Sequence, residues 1–420
     1  MSARYQEGSI LDNRQRASPA TRSPAPRAAA IRPPERWWSG PFVRLLATNM
    51  AIGFSVSCFY LLPKHLTLAY AASPGEVGAV VGIFGLTCVL VVPWLGRAVS
   101  ALGLPRTLVL AQLLWAACAW AFAALDGIGA TMLILRALQG LATAAMMTAG
   151  VAMVCELAPA PRLGQAMGLA GAASLIMNAI APAVAEPVGA RFGFTWVFAM
   201  SGAAALLGAV VSRRLPRGVP SAGSQARQPS ARRALVVLTA LAVTGAGFHV
   251  VMAFLAPLAL SRGIGSVGGF FVAYTLAALA MRTVGGAFSD RLGLARTAVA
   301  GIFVYGTFIA AIAAVGSRSL VGLGLGFGLA HGVLFPALMA MLFHDIPPSE
   351  RARLAAVANG ALNLGMLTVL GFGQLANHAG LAAVFVVTGV LVASCALALA
   401  PLASKRPVEL LSASETGARE

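Results

Sequence analysis

The stretch GGAFSDRLGLARTAV (residues 285–299) concentrates charge in a chain that carries little of it. It contains Asp290, Arg291 and Arg296, whereas only 10% of the 420 residues are charged. A second stretch, LGRAVSALGLPRTLV (95–109), has the same spacing but lacks the acid. A pattern that occurs twice indicates that the chain contains an internal repeat.

The two stretches match at an offset of 190 residues. The first copy has Ser100 in place of the acid and Ala101 in place of the adjacent base. A second anchor, a Gly-Phe pair followed by a proline at the same spacing, occurs at 53–63 and at 247–257. Two anchors predict two similar halves related by an axis along the membrane normal. The matching residues of the opening pattern are Gly96 with Gly286, Gly103 with Gly293, and Arg106 with Arg296.

The composition assigns the chain to the integral membrane proteins. It is 59% hydrophobic with a mean hydropathy of +0.83, whereas soluble domains carry about 25% charged residues. The net charge of +17 is interpreted as an orientation signal in loops, without a nucleic-acid partner. The five cysteines are scattered singly in apolar runs, which indicates packing residues and no metal site.

Twelve apolar segments are long enough to cross the roughly 30 Å core of a bilayer. No alternation typical of a β-barrel is present, so an all-α integral membrane fold is predicted. With six segments in each half, we expect two pseudo-symmetric six-helix bundles. The predicted spans are 42–62, 75–95, 106–124, 131–154, 164–187, 195–211, 234–260, 267–287, 295–315, 319–343, 353–376 and 381–402.

The basic residues predict which side the termini occupy. With twelve spans both termini share one side, and that side holds 24 of the 30 Lys and Arg residues. The opposite loops hold four, so both termini are expected in the cytoplasm of a multi-pass protein in a bacterial-type inner (plasma) membrane. The predicted domains are a disordered tail 1–40, a first bundle 41–211, a basic linker 212–233, a second bundle 234–403 and a tail 404–420.

Two motifs give the chain a family resemblance. After the eighth span it matches GxxxD-R/K-x-G-R/K-R/K, and in the fourth span RALQGLATA matches RxxQGxxxA. Over about residues 40–403 the chain resembles transporters of the major facilitator superfamily. The matching residues are Gly286, Asp290, Arg291, Gly293 and Arg296 in the first motif, and Arg136, Gln139, Gly140 and Ala144 in the second.

The resemblance implies a secondary transporter that works by alternating access, and no enzyme. In this family the first motif latches the two halves when the cytoplasmic side is closed. We therefore expect Asp290 against the start of the fifth helix, near Arg162 and Gly164. The alternative interpretation is a set of loop charges with no gating role. No ATP-binding motif or other cofactor signature is present, and a functional monomer is expected.

The direction of transport is predicted to be export in exchange for protons. Exporters of the family often carry GPxxGG in the fifth helix, and APAVAE (181–186) keeps only Pro182 of it. The stretch HGVLFPALMA (331–340) also resembles bacterial sugar-efflux-like and drug-efflux members. Uptake by proton symport or facilitated diffusion remains the alternative. A non-transporting membrane sensor or scaffold is a remote one.

Polar residues inside the apolar spans are the candidates for cargo and proton handling. By resemblance Arg136 faces the central cavity, or else it reaches toward the interface. Glu186 is a candidate proton carrier, or it lines a wetted vestibule near the end of its helix. For His249 and His331, on the seventh and tenth helices, the alternatives are proton coupling, contact with a polar cargo, or simple packing. Asn49, Asn178, Asn359 and Asn363 bind cargo or join helices.

The absence of acidic residues from two spans narrows the predicted class of cargo. No Asp or Glu lies in the first span or in the middle of the fourth, where exporters of cations commonly keep one. The deep polar groups are an arginine and two histidines. We therefore predict neutral, zwitterionic or anionic small molecules as the cargo.

Overall fold

A computed structural model describes residues 39–158, 162–217, 231–343 and 348–404 of the chain. These residues form helices joined by short turns, with no strand among them. The helices of the first half are α1 (Gly40–Cys58), α2 (Leu62–Tyr70), α3 (Pro74–Leu90), α4 (Val92–Leu102), α5 (Leu104–Phe122), α6 (Ala130–Leu157), α7 (Leu163–Phe192) and α8 (Phe194–Ser212).

The second half has one helix fewer, because its first two spans are unbroken and its fifth span is broken. Its helices are α9 (Ala231–Ser261), α10 (Gly268–Leu292), α11 (Leu294–Ile312), α12 (Leu320–Phe343), α13 (Pro348–Leu364), α14 (Thr368–Ala379) and α15 (Leu381–Ser404). Single 3₁₀ turns at 59–61 and 365–367 join α1 to α2 and α13 to α14.

Each predicted span overlaps one helical segment once the three broken pairs, α1–α2, α3–α4 and α13–α14, are joined. By length and composition, nine helices in the described part could cross a membrane, or ten if the bent pair α3–α4 is one span. The predicted all-α membrane fold of two six-helix bundles is confirmed. We call α1–α8 the first bundle and α9–α15 the second bundle.

Four turns between helices consist of one glycine with a positive φ. Gly103 joins α4 to α5 with φ +79°, and Gly293 joins α10 to α11 with φ +84°. A side chain at either position would strain the backbone, because L residues avoid this region. Gly193 and Gly380 make the same turn before the last helix of each half. The duplication seen in the sequence is therefore repeated in the backbone.

The second span differs from its prediction because it bends and continues. The predicted loop after residue 95 is wrong, since α4 is helical to Leu102, at an angle of 63° to α3. Pro93 lies in the first turn of α4, and its ring cannot donate the hydrogen bond that would continue α3. The matching residue in the second half is Thr283, and α10 runs unbroken through it.

Three further boundaries predicted from the sequence are corrected. The opening stretch was expected to be a loop, but the backbone of residues 285–292 belongs to α10. The first span extends through α2 to Tyr70, so Lys64, predicted in a loop, lies in a helix. Arg191, also predicted in a loop, lies in the last turn of α7.

Several pairs of helices join the bundles, most extensively α7 with α10 and α3 with α14, and also α2 with α9 and α3 with α13. Within each bundle, buried aromatic residues connect helices. In the first bundle the Trp115 indole donates to Ser201 Oγ at 3.0 Å, and in the second the Tyr305 hydroxyl donates to the Thr244 carbonyl at 3.3 Å.

Candidate functional site

The two ends of the bundles are defined by the helices that begin or end there. We call the end where α1 begins and α15 ends the proximal end. The distal end is opposite, where α2 and α7 end and α10 begins. Helices alternate in direction along the chain, so residues 64–74, 186–192 and 262–268 all lie at the distal end.

A buried ion pair lies between the bundles at the distal end. Lys64 Nζ is 2.5 Å from Glu186 Oε1, and the two side chains are 9% and 8% exposed. Lys64 Nζ also donates to the Gly265 carbonyl at 2.5 Å. Lys64 and Glu186 belong to the first bundle and Gly265 to the second, so the lysine bridges the two.

The Glu186 carboxylate also binds the start of α10. It accepts hydrogen bonds from Ser266 Oγ at 2.7 Å, Val267 N at 3.1 Å and Gly268 N at 2.7 Å. The first N–H groups of a helix have no partner within the helix and carry partial positive charge, so a carboxylate binds well there. We call Lys64, Glu186 and residues 265–268 the distal latch.

A second contact closes the same end on the other side of the bundles. Gly75 N donates to Asn377 Oδ1 at 2.9 Å. A Cβ atom placed on Gly78 would lie 2.8 Å from Gly373 Cα, so the backbones of α3 and α14 touch. Small residues permit such close approach of membrane helices. The distal latch and this contact together hold the distal end shut.

The proximal part of α7 has exposed positions. Among the described residues, a Cβ atom on Gly168 would have no atom within 4 Å, and one on Gly171 would meet only Arg282 Nη1, at 3.9 Å. This contrasts with the backbone contact between α3 and α14 at the distal end. The structure is therefore a conformation with its distal end closed.

Arg136 is buried within the first bundle. It is 4% exposed, and its guanidinium lies 4.4 Å from the ring centroid of Phe84. Nε donates to the Val80 carbonyl at 3.2 Å and Nη1 to Gln139 Oε1 at 2.8 Å. The side chain does not reach toward the interface, and these partners all belong to the first bundle. A role in cargo or proton handling stays a prediction.

Gly140 has a packing role that is visible in the structure. A Cβ atom there would lie 2.4 Å from the Phe84 carbonyl oxygen, so α6 lies directly on α3. The neighbouring Gln139 is fully buried, and its Nε2 has no hydrogen-bond partner among the described residues. The motif in α6 thus combines a close helix contact with polar groups next to Arg136.

The two candidate histidines lie on either side of Phe248. Its ring packs edge-on against His249 with 5.3 Å between centroids and stacks on His331 at 5.7 Å. His249 Nδ1 donates to the Gly245 carbonyl at 2.7 Å. His331 Nδ1 is 3.0 Å from the Tyr274 hydroxyl, whereas its buried Nε2 has no partner in the described part of the chain. Their function in transport is still a prediction.

The candidate asparagines do not form one cluster. Asn49 is buried on α1, and Asn178 Oδ1 on α7 accepts from the Ser57 hydroxyl at 2.8 Å. Asn359 and Asn363 are half-buried on α13. Asn178 thus joins two helices, one of the two uses expected from the sequence.

The duplicated motif is only partly described. Gly103 and Gly293 form the matching turns, and Arg106 and Arg296 are exposed next to them. Gly96 lies on α4, where the Ser100 hydroxyl donates to its carbonyl at 2.9 Å. The side chains of Gly286, Asp290 and Arg291 lie outside the described residues, as does the expected contact of Asp290 near Gly164.

Two residues of this region were not predicted as functional. Lys64 falls just outside the predicted first span, although it is one of two lysines in the chain and lies at the same predicted end as Glu186. Arg282 lies inside the predicted eighth span, and no role is predicted for it. An isolated charge in or beside an apolar span is the signal that could have identified both.

One curated relative has a similar sequence over part of its length. It is the probable anion transporter 2, chloroplastic, of Oryza sativa subsp. japonica, 29% identical over 177 residues. The match covers 40% of this chain and about a third (32%) of that relative's length.

Solved structures share the fold at low sequence identity. The nucleoside transporter NupG aligns with a TM-score of 0.69 and 14% identity, covering 87% of this chain and 100% of that one. The human organic anion transporter MFSD10 aligns with a TM-score of 0.63 and 18% identity, again over 87% and 100%. The family model described as Major Facilitator Superfamily matches residues 45–273 and 237–419. The chain therefore belongs to the major facilitator superfamily and is a multi-pass membrane transporter.

Proposed function

We propose that this protein exports a small molecule in exchange for protons by alternating access between its two bundles. The observation that carries the alternating-access part is the distal latch. It joins the bundles through a charged contact between Lys64, Glu186 and the first turn of α10. A contact of this kind at one end, with exposed positions along α7 toward the other, is what a transporter in one of its two end states requires.

The distal latch suits a gate that opens and closes. Opening would return Lys64 and Glu186 to water, which offsets much of the cost of separating them. An apolar contact of the same size would lose its stabilisation on opening and regain nothing. A polar gate therefore keeps the free energies of the closed and open states close together.

Export is supported by the resemblance of residues 331–340 to exporters, whereas the fifth helix keeps only Pro182 of the exporter motif. Proton exchange rests on protonatable groups inside the spans, of which His249 and His331 lie deepest. Glu186 lies near the distal end of α7 and already has four hydrogen-bond donors. Its location suits gating better than carrying a proton between the two sides.

The class of cargo follows from the charges of the spans. The deep polar groups carry positive or no charge, which supports a neutral, zwitterionic or anionic molecule. Two similar proteins are named as anion transporters, MFSD10 and the rice protein. Their names favour the anionic class for this chain.

We also propose that both termini are cytoplasmic and that the protein works as a monomer in a bacterial-type inner membrane. The bias of 24 basic residues on the side of the termini supports this orientation. It makes 1–40, 212–233 and 404–420 cytoplasmic tails and linker, and the distal end the outer end. A reporter active only in the cytoplasm, fused after residue 420, tests the orientation.

Transport by inside-out vesicles with an imposed proton gradient tests the proposed function. Metabolites and drugs are added singly, and the gradient is followed with a pH-sensitive dye. An exporter that exchanges cargo for protons collapses the gradient when its cargo is added, and vesicles without the protein do not. Cargo movement that is independent of the proton gradient would rule out proton coupling. Cargo that moves only with the protons would indicate symport.

A further inference from the structure

Arg282 lies inside the second bundle and has no carboxylate partner among the residues that the structure describes. It lies fourteen residues after the start of α10, which places it about 21 Å from the distal end at about 1.5 Å per residue. The part of α10 before it, Gly268–Arg282, is an apolar segment. The ion pair found among the described residues joins Lys64 to Glu186 and does not include Arg282.

The guanidinium of Arg282 approaches the first bundle. Its Nη1 lies near Gly171 of α7, which is exposed. Its Nε is buried without a hydrogen-bond partner in the described residues. A buried charged donor left unpaired is costly, and an anion bound beside the guanidinium would satisfy it.

A second unpaired donor lies near the same phenylalanine, Phe335. The Arg282 guanidinium is 5.4 Å from the Phe335 centroid, and the His331 ring is 6.2 Å from the same centroid. When the Tyr274 hydroxyl donates to His331 Nδ1, the proton of the neutral ring is on Nε2. Nε2 is then a donor without a partner, in a side chain that is 6% exposed.

The surfaces around these two donors are aromatic. Phe248 stacks on His331 with 21° between the rings, and Phe335 lies near both His331 and Arg282. Such surfaces favour a flat apolar body, while the two donors favour a negatively charged group at its end. The first bundle offers no equivalent, because Val92 matches Arg282 at the offset of 190 residues.

We propose that Arg282 and His331 form a binding subsite for the carboxylate of a small aromatic acid, with Phe335 and Phe248 packing against its ring. This inference names the cargo class of the transporter proposed above and rests on that proposal. Arg282 sets the charge of the cargo, and His331 positions it. Because Arg282 faces α7, cargo bound there lies between the two bundles.

Binding of three probes of equal shape tests the subsite. Benzoate, benzamide and benzylamine differ in charge at one group, and each is added to the purified full-length protein at millimolar concentration. Benzoate is expected to raise the thermal unfolding temperature, and benzamide and benzylamine are not. Arg282→Gln should weaken benzoate binding by about 10- to 100-fold, the loss expected for one charge-assisted contact. Arg282→Lys should retain part of it.

Arg318→Gln is the matched control, because Arg318 is exposed before α12 at the distal end. It should bind benzoate as the wild type does. The proposal is overturned if the wild type does not respond to benzoate, if the three probes act alike, or if Arg282→Gln binds benzoate normally. Counterflow in proteoliposomes separates the two proposals. Transport of a neutral cargo that is insensitive to Arg282→Gln would refute the subsite alone. Benzoate binding through Arg282 without transport of any solute would refute the transporter function alone.

Discussion

The substitution Glu186→Gln is expected to open the distal end. Glutamine has nearly the same shape, but it removes the charge that compensates Lys64 and one of the two acceptor oxygens that bind α10. Breaking a buried ion pair by removing one partner costs about 3–5 kcal/mol. Lys64 regains water when the distal end opens, so this cost falls on the closed conformation.

Raising the free energy of the closed conformation by about 3 kcal/mol relative to the open one changes the ratio of closed to open molecules by about 100-fold. A population that is about 99% closed would then contain roughly equal amounts of both forms. The distance between spin labels at Thr67→Cys in α2 and Ser261→Cys in α9 reports the change, because these residues line one cavity between the bundles at the distal end. The native cysteines are replaced by alanine beforehand. We expect a second, longer distance in Glu186→Gln.

The matched control for this experiment is Glu76→Gln. Glu76 lies at the same end but is exposed, and its carboxylate binds Ser73 within the N-terminal cap of α3. Removing its charge should leave the distance unchanged. If Glu186→Gln keeps the short distance, or if Glu76→Gln lengthens it equally, the distal latch does not hold the bundles together.

Four further variants test other parts of the account. The double variant Lys64→Met/Glu186→Leu leaves no unpaired charge, so its open population should be smaller than that of Glu186→Gln in the same distance measurement; an equal or larger one would contradict the charge argument. Gly140→Ala would press on the Phe84 carbonyl, and we expect a loss of about 1–3 kcal/mol, seen as a lower unfolding temperature in detergent. Gly168→Ala, where a Cβ meets nothing within 4 Å, should show no such loss. Ser100→Asp restores the missing acid of the first motif and should populate the open distal end; an unchanged distance between the labels would show that this acid has no latching role here.

The sequence predicts most of the fold because the bilayer imposes a length on each helix. Apolar runs of about 20 residues identify the spans, and the duplicated motif around Gly103 and Gly293 identifies the halves. The 63° bend before α4 was missed, although Pro93 could have indicated it. Helix ends such as Tyr70 were also missed, since a helix can continue past the apolar run that predicts it.

The candidate site was less predictable because it depends on how the bundles dock. Glu186 and Lys64 are 122 positions apart in the chain, and no local pattern pairs them. The surroundings of Arg136 depend on the ring of Phe84, which only the packing of α3 on α6 determines. Polar residues inside spans can be identified from a sequence, but their partners cannot.

The central claim is that the two ends of the protein open in alternation, and two distances in one protein test it most directly. One pair of labels is at Thr67→Cys and Ser261→Cys at the distal end. The other is at Arg106→Cys and Arg296→Cys, which are exposed in the matching turns at the proximal end. When Glu186→Gln lengthens the distal distance, the account predicts that the proximal distance shortens. A proximal distance that stays constant or lengthens with the distal one would contradict alternating access.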